Sequence, residues 1–224
     1  MSSVSENLKI VKDGLPEGVT LVAVSKTKPA EMIMEAYESG QSIFGENKAR
    51  ELADKYEELP KDIDWHMIGH LQRNKVKYIA PFVSLIHGVD SMRLLRAINK
   101  EGAKNDRVIP CLLQIHIASE ESKFGLDAGE LTEMLKSDDF KSFDHVKIQG
   151  LMGMATFTDD ESKVASEFGT LKKLFDETKQ QYFTADSDFS ILSMGMSGDY
   201  KIALAEGSNM VRIGSSIFGA RNYQ

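Results

Sequence analysis

The sequence predicts a closed (β/α)8 barrel, a TIM barrel in one domain over residues 1–224, with an extra helix at its N-terminus. Three observations carry this expectation. Eight short apolar runs recur along the chain, separated by amphipathic stretches, which is the rhythm of parallel strands joined by helices. The 224 residues suit such a barrel, which takes about 250 residues and can be as short as about 200. The first run leads into Ser25-Lys26-Thr27-Lys28-Pro29 and not into a glycine-rich turn, which ranks the doubly wound dinucleotide-binding sheet below the barrel.

In chain order, residues 4–13 read as an opening helix expected to cap the bottom of the barrel. The strands follow at 20–25, 42–45, 65–68, 84–89, 108–117, 147–152, 189–194 and 210–213, the first of them rich in Val and bounded by Gly18 and Pro29. Helical spacing fills the intervals at 30–39, 47–59, 74–80, 92–104, 128–136, 162–181 and 200–205. Gly40, Gly102 and Gly207 fall at helix ends, where a residue that tolerates left-handed backbone stops the helix. The acidic helix over 47–59 reads as a solvent face with charge pairs, and the high methionine count as core filler.

Composition excludes several classes. Hydrophobic residues make up 42% of the chain, enough for a sizeable core. A formal charge of −7, with no basic stripe interleaved with aromatics, argues against nucleic acid as a partner. No cationic leader opens the sequence and no run approaches the ~20 apolar residues that span a bilayer, so a cytoplasmic protein without membrane attachment is expected. The one cysteine, Cys111, lies in an apolar run and reads as core, which leaves neither an internal disulfide nor a cysteine-based metal cluster. Among the five histidines only His66 and His70 are spaced four apart, without an acidic frame, and no metal site is expected.

In a barrel the residues just after each strand converge on one rim, where the chemistry is built. Lys26 ends the first strand, with an apolar strand behind it that disfavours the ammonium form; it reads as a Schiff-base lysine or as a solvated amine. Glu46 and Asn47 follow the second strand, His66 and His70 flank the third, and Lys28, Lys48 and Lys75 read as solvated rim charges, one of which could assist transfer. The loops 193–199 and 214–216 are small-residue segments running into helical turns. There backbone N–H groups, serine hydroxyls and helix dipoles can hold a phosphate, although the same pairs also make plain turns. A phosphate cradle opposite a strand-end lysine describes pyridoxal 5′-phosphate (PLP), whose aldehyde condenses with an amine while its phosphate anchors the ring.

At this point the segments Val24-Ser25-Lys26-Thr27-Lys28, Phe44-Gly45-Glu46-Asn47, Trp65-His66-Met67-Ile68-Gly69-His70-Leu71-Gln72-Arg73-Asn74-Lys75, Ser122-Lys123-Phe124-Gly125, Leu192-Ser193-Met194-Gly195-Met196-Ser197 and Val211-Arg212-Ile213-Gly214 with Ile217-Phe218-Gly219 are, in order, similar to the pyridoxal-phosphate homeostasis proteins, the YggS-like or PROSC-like family. The resemblance implies a barrel of the alanine-racemase N-terminal kind (PLP fold-type III) that binds PLP without established catalytic turnover. By position it makes Lys26 the Schiff-base lysine. Ser197, Gly214 and Ser215 hold the phosphate, Ser193 and Met194 line the cradle, Asn47 and His66 lie near the cofactor, and Arg212 faces the pyridine nitrogen. Ser215 stands where family members often carry threonine, which keeps the hydroxyl.

Arg212 has a chemical consequence of its own. An always-charged guanidinium donates to the ring nitrogen and keeps it unprotonated, so the cofactor is a weaker electron sink. Spacing alone leaves a salt-bridged strand-end arginine equally open. The function expected is a protein of vitamin B6 homeostasis that buffers PLP or delivers it to PLP-accepting apo-enzymes. The alternative is an amino-acid racemase. It needs a second acid/base on the opposite face of the substrate, which related racemases supply from an additional domain of a partner subunit; this chain is expected to end before such a domain and to be a monomer. A phosphosugar barrel enzyme using Lys26 as its carbonyl-attacking amine is a third reading.

Overall fold

The structure is a computed structural model that describes residues 3–119 and 124–220. Ser122 and Lys123 of the Ser-Lys-Phe-Gly segment lie outside the described residues. Eight parallel strands close into a barrel: β1 (Thr20–Val24), β2 (Ile43–Glu46), β3 (Asp64–Met67), β4 (Leu85–Val89), β5 (Ile109–Ile115), β6 (Val146–Gly153), β7 (Ile191–Ser193) and β8 (Met210–Ile213). The closing pair sets Val22 beside Arg212 and Ala23 beside Ile213, which joins the first strand to the last. The strands are those expected from the apolar runs, with ends displaced by up to two residues.

The helices are α1 (Val4–Asp13), α2 (Ala30–Glu38), α3 (Ala49–Glu58), α4 (Met92–Lys104), α5 (Ala128–Lys136), α6 (Asp138–Lys141), α7 (Glu161–Tyr182), α8 (Tyr200–Ala205) and α9 (Ser215–Phe218). The third connection, read as an α-helix over 74–80, is a 3-10 helix, Arg73–Tyr78. The short α6 was not anticipated. α1 begins in a capping box, with Ser3 accepting from the Glu6 N–H and Glu6 accepting from the Ser3 N–H.

The expectation that α1 caps the bottom of the barrel is corrected. Its buried stripe, Val4, Leu8 and Val11, lies along the outer wall between α2 and α9. Asn7 reaches the Ile217 carbonyl at the rim end, and Lys12 reaches the Gly40 carbonyl just before β2. The stripe is covered there by α2 and α9, which leaves the polar face of α1 to solvent.

Two apolar layers result from the strand alternation. Val22, Leu85, Leu112, Met152 and Met210 fill the lumen, while Phe44, Trp65, Ile86, Leu113, Leu151 and Val211 pack outward against the helices. Cys111 is part of this outer layer, and its burial pushes the thiol well above its ordinary pKa. Among the described residues no helix is long and apolar enough to cross a membrane.

Candidate functional site

Lys26 sits in a tight turn at the end of β1, half-buried, with the Lys28 N–H donating to the Ser25 carbonyl across the turn. Thr27, the second turn residue, takes φ of +63°, an unusual backbone for a β-branched residue. The turn is held from outside the wall. Lys55, a buried residue of α3, donates to the Ser25 carbonyl at 2.8 Å, to Glu46 Oε1 at 2.8 Å and to Glu51 Oε1 at 2.9 Å. The Ser25 hydroxyl donates to Glu46 Oε1 at 2.6 Å, and Glu51 Oε1 accepts the Thr27 N–H at 2.5 Å. Both peptide neighbours of Lys26 are therefore clamped to one ionic cluster.

Glu46 is fully buried, and its Oε2 has no hydrogen-bond partner. Burial outweighs the Lys55 ammonium and lifts its pKa to about 7. The solvent-face reading of α3 is thus corrected at Lys55, which shares the buried stripe of Ala49 and Leu52. Lys28 is also corrected: its ammonium donates to the carbonyls of Phe218, Gly219 and Ala220, and so ties the Lys26 turn to the end of α9.

A polar chain crosses the lumen. Register places His66 beside Leu85, Ser193 beside Met152 and Arg212 beside Val22, so all three share the inward face with the lumenal apolar residues. Arg212, 4% exposed, donates from Nη1 to the Ser193 carbonyl at 2.9 Å and hydroxyl at 2.6 Å, and from Nη2 to the Gly153 carbonyl at 3.1 Å. Ser193 Oγ lies 3.1 Å from His87 Nδ1, and His87 Nε2 lies 3.0 Å from His66 Nδ1. Burial pulls the Arg212 pKa down to about 10, with the Asp199 charge opposing, so the guanidinium stays charged at neutral pH. Burial pushes His66 to about 3 and, with the Arg212 charge adding to it, His87 well below its ordinary value; both rings are neutral.

The β7 and β8 loops meet beside this chain. The Gly214 N–H donates to the Ser197 hydroxyl at 3.3 Å, and Gly214 packs on β1 so closely that a Cβ there would lie 3.1 Å from the Val24 carbonyl oxygen, two residues before Lys26. Gly195, with φ of +96°, turns the β7 loop, and a Cβ on it would come within 2.7 Å of Ala203. Ser197 is half-buried and Ser215 exposed, at the first position of α9. α8 and α9 span only six and four residues, so local N–H groups and hydroxyls, and not a macrodipole, are what this cradle offers an anion.

The structure brings Lys26, Ser197, Gly214, Ser215 and Arg212 to the joined ends of β1, β7 and β8. Ser193 lies deeper, bonded to Arg212. Met194 does not line the cradle: it is fully buried in the outer layer, because alternation turns it away from the lumen when Ser193 faces in. Asn47 stands half-buried at the end of β2. His66 and His70 do not form a joint site. His66 is lumenal, whereas His70 is exposed, 3.0 Å from Asp90 Oδ2, with its ring stacked on Phe124. No group of three metal-ligating side chains occurs among the described residues.

Sequence reasoning missed His87, Lys55 and the buried role of Glu46. The first two had a faint signal: a histidine inside the apolar run 84–89 at the parity of Leu85, and a lysine three residues beyond Leu52 on the buried helical stripe.

Comparison with known proteins gives the family and the fold. The alanine racemase N-terminal domain family matches residues 1–222. A pyridoxal phosphate homeostasis protein of Aquifex aeolicus is 39% identical over 204 residues, covering 91% of this chain and 87% of that one. The protein of the same name from Escherichia coli K12 is 36% identical over 240 residues, covering 100% and 99%. PipY of Synechococcus elongatus PCC7942, in a structure with PLP bound, superposes with a TM-score of 0.87 at 33% identity, covering 97% of this chain and all of that one. An alanine racemase from E. faecalis shares the fold alone, with a TM-score of 0.73 at 16% identity over 97% of this chain and 58% of its own. By the match of the domain family over residues 1–222 and by full-length relatives at 36–39% identity, this chain belongs to the pyridoxal phosphate homeostasis protein family, built on the alanine racemase N-terminal barrel.

Proposed function

We propose that this protein binds PLP, with Lys26 as its Schiff-base lysine, and buffers the cofactor or delivers it to PLP-accepting apo-enzymes in the cytoplasm as a monomer, without turnover of its own. The observation that carries the reading is Arg212. It is a guanidinium 4% exposed whose hydrogen-bond acceptors among the described residues are all neutral, on the strand paired with the one that leads to Lys26. Those bonds engage three of its five N–H groups, so the buried guanidinium keeps donors for a further acceptor in the lumen. A pyridine nitrogen is an acceptor that an arginine can serve.

The rest of the site fits the same group. PLP, when bound, supplies an aldehyde for an amine and a phosphate for an anion cradle. Lys26 provides the amine; Ser197, Ser215 and the Gly214 N–H provide hydroxyl and backbone donors, and Asn47 stands at the neighbouring strand end. The PLP-bound PipY structure supports the assignment at the level of the family.

The test is an absorbance spectrum of the protein with added PLP, beside Lys26→Ala, followed by an assay with L- and D-alanine. A visible band that requires Lys26, without racemisation, is expected. Robust racemisation would move the protein to the racemase class, and absence of the band would return the phosphosugar reading.

A further inference from the structure

The polar chain across the lumen has a direction that follows from donor and acceptor chemistry. A guanidinium carries donors only, so the Ser193 hydroxyl oxygen accepts from Arg212 Nη1 at 2.6 Å. Its own proton then needs an acceptor. Ser193 is fully buried, and among the described residues the acceptor its hydroxyl reaches is His87 Nδ1, at 3.1 Å. The reverse arrangement, with His87 donating from Nδ1, would leave the buried Ser193 proton without an acceptor, at the desolvation cost of an unmade hydrogen bond. His87 Nδ1 therefore accepts. The neutral ring keeps its proton on Nε2 and donates to His66 Nδ1 at 3.0 Å, which leaves the His66 proton on Nε2 as well.

We infer that His87 and His66 are positioning residues for Arg212: with Ser193 they form a one-way hydrogen-bond relay, every proton directed from Arg212 toward His66, that locks both imidazoles as neutral Nε2–H tautomers. The relay also selects which donors of Arg212 remain for a ligand. Three of its N–H groups are engaged with Ser193 and Gly153, and a guanidinium has five. The fixed charge acting on His87 is Arg212, on which Asp199 acts in turn, while burial alone shifts His66. A lone buried histidine gains or loses a proton with modest changes of surroundings. Here the fixed charge of Arg212 at one end and burial at the other hold two of them in one state.

The consequence for the cofactor rests on the function proposed above, whereas the tautomers do not. The first measurement is therefore made without PLP. The full chain, labelled with 15N histidine, is read by two-bond 1H–15N correlation between pH 5.5 and 8, with His66→Gln and His87→Gln for assignment. The expected result is two rings protonated at Nε2, with nitrogen shifts flat across the range, and a mixed His87 tautomer in Ser193→Ala. A wild-type His87 or His66 protonated at Nδ1, or titrating near pH 6.5, would overturn the relay.

The second measurement separates positioning from packing. Glutamine offers an acceptor and a donor on one side chain and leucine offers neither. His87→Leu is expected to weaken PLP retention about tenfold, as for one hydrogen bond of ~1.4 kcal/mol, and to move the visible band; His87→Gln is expected to restore both. Identical retention and band position in His87→Leu would overturn the positioning role. Should the wild type fail to bind PLP, the functional reading falls, and the tautomers still decide the relay.

Discussion

The ammonium of Lys55 lies 2.8 Å from the carbonyl oxygen of Ser25, on the outer side of the barrel wall behind the turn that carries Lys26. The residue proposed to hold the ligand thus depends on a cation that never faces the ligand. Lys55 also neutralises Glu46, whose second oxygen has no partner.

Removing Lys55 leaves a buried carboxylate uncompensated. Lys55→Met is expected to lower stability by about 3 kcal/mol at pH 8, near the lower end for a broken buried pair, because Glu46 can relieve itself by taking up a proton. Urea denaturation at pH 8 and pH 6 checks this, with a smaller loss at pH 6. Equal losses at the two values would show that Glu46 does not titrate between them.

The pH dependence of the wild type has a defined sign. Between pH 5 and 5.5 the unfolded chain protonates His66 and His87 but not Glu46, whereas the folded chain protonates Glu46, at about 7, and neither histidine. From these three groups the unfolded state binds one more proton, so stability rises with pH by about 1.4 kcal/mol per unit in this window. The raised Glu46 pKa opposes the histidines there, since its protonation relieves a burial penalty as pH falls. Glu46→Gln is therefore expected to steepen the slope to about 2.7 kcal/mol per unit. Chemical denaturation at four pH values measures both, and an unchanged slope in the variant would refute the Glu46 assignment.

Gly195→Ala should damage the cradle. The residue holds φ of +96°, and the added methyl would meet Ala203 Cβ at 2.7 Å and Tyr200 Cα at 2.9 Å. Strain of about 1–3 kcal/mol is expected, with a corresponding fall in thermal midpoint and weaker PLP retention. A crystal structure with this loop unmoved and a wild-type midpoint would contradict it.

Ser197→Ala removes the hydroxyl that accepts the Gly214 N–H and, in the proposed function, one donor to the phosphate. Hydrogen bonds to charged groups contribute about 1.5–3 kcal/mol, so the dissociation constant for PLP should rise by roughly 10- to 100-fold with little change in stability. Equilibrium dialysis against PLP measures the first and thermal denaturation the second. Pyridoxal, which lacks the phosphate, should bind both forms alike.

The barrel was legible because its signal is local. Apolar runs at strand length, amphipathic spacing between them and Pro or Gly at the boundaries are properties of neighbouring residues, and β1 to β8 appear within two residues of the expected positions. The rim residues were legible for a related reason: a barrel sends every strand end to one mouth, so Lys26, Ser197, Gly214 and Ser215 could be grouped from chain position. Met194 shows the limit of that reasoning. One step of alternation separates the lumen from the outer layer, and a loop motif does not say on which side of the step each of its residues falls.

What the sequence determined by itself is the architecture, the family motifs and the order of the groups around the mouth, all of which depend on periodicity and spacing along the chain. Only the tertiary structure decided the partners of the buried polar groups. Ser193 meets His87 across 106 residues, Arg212 meets Gly153 across 59, and Lys55 meets Ser25 across 30. The physical reason is that a polar group inside the fold must be satisfied by whatever closure of the barrel brings within about 3 Å, and strand register, not sequence separation, sets that distance.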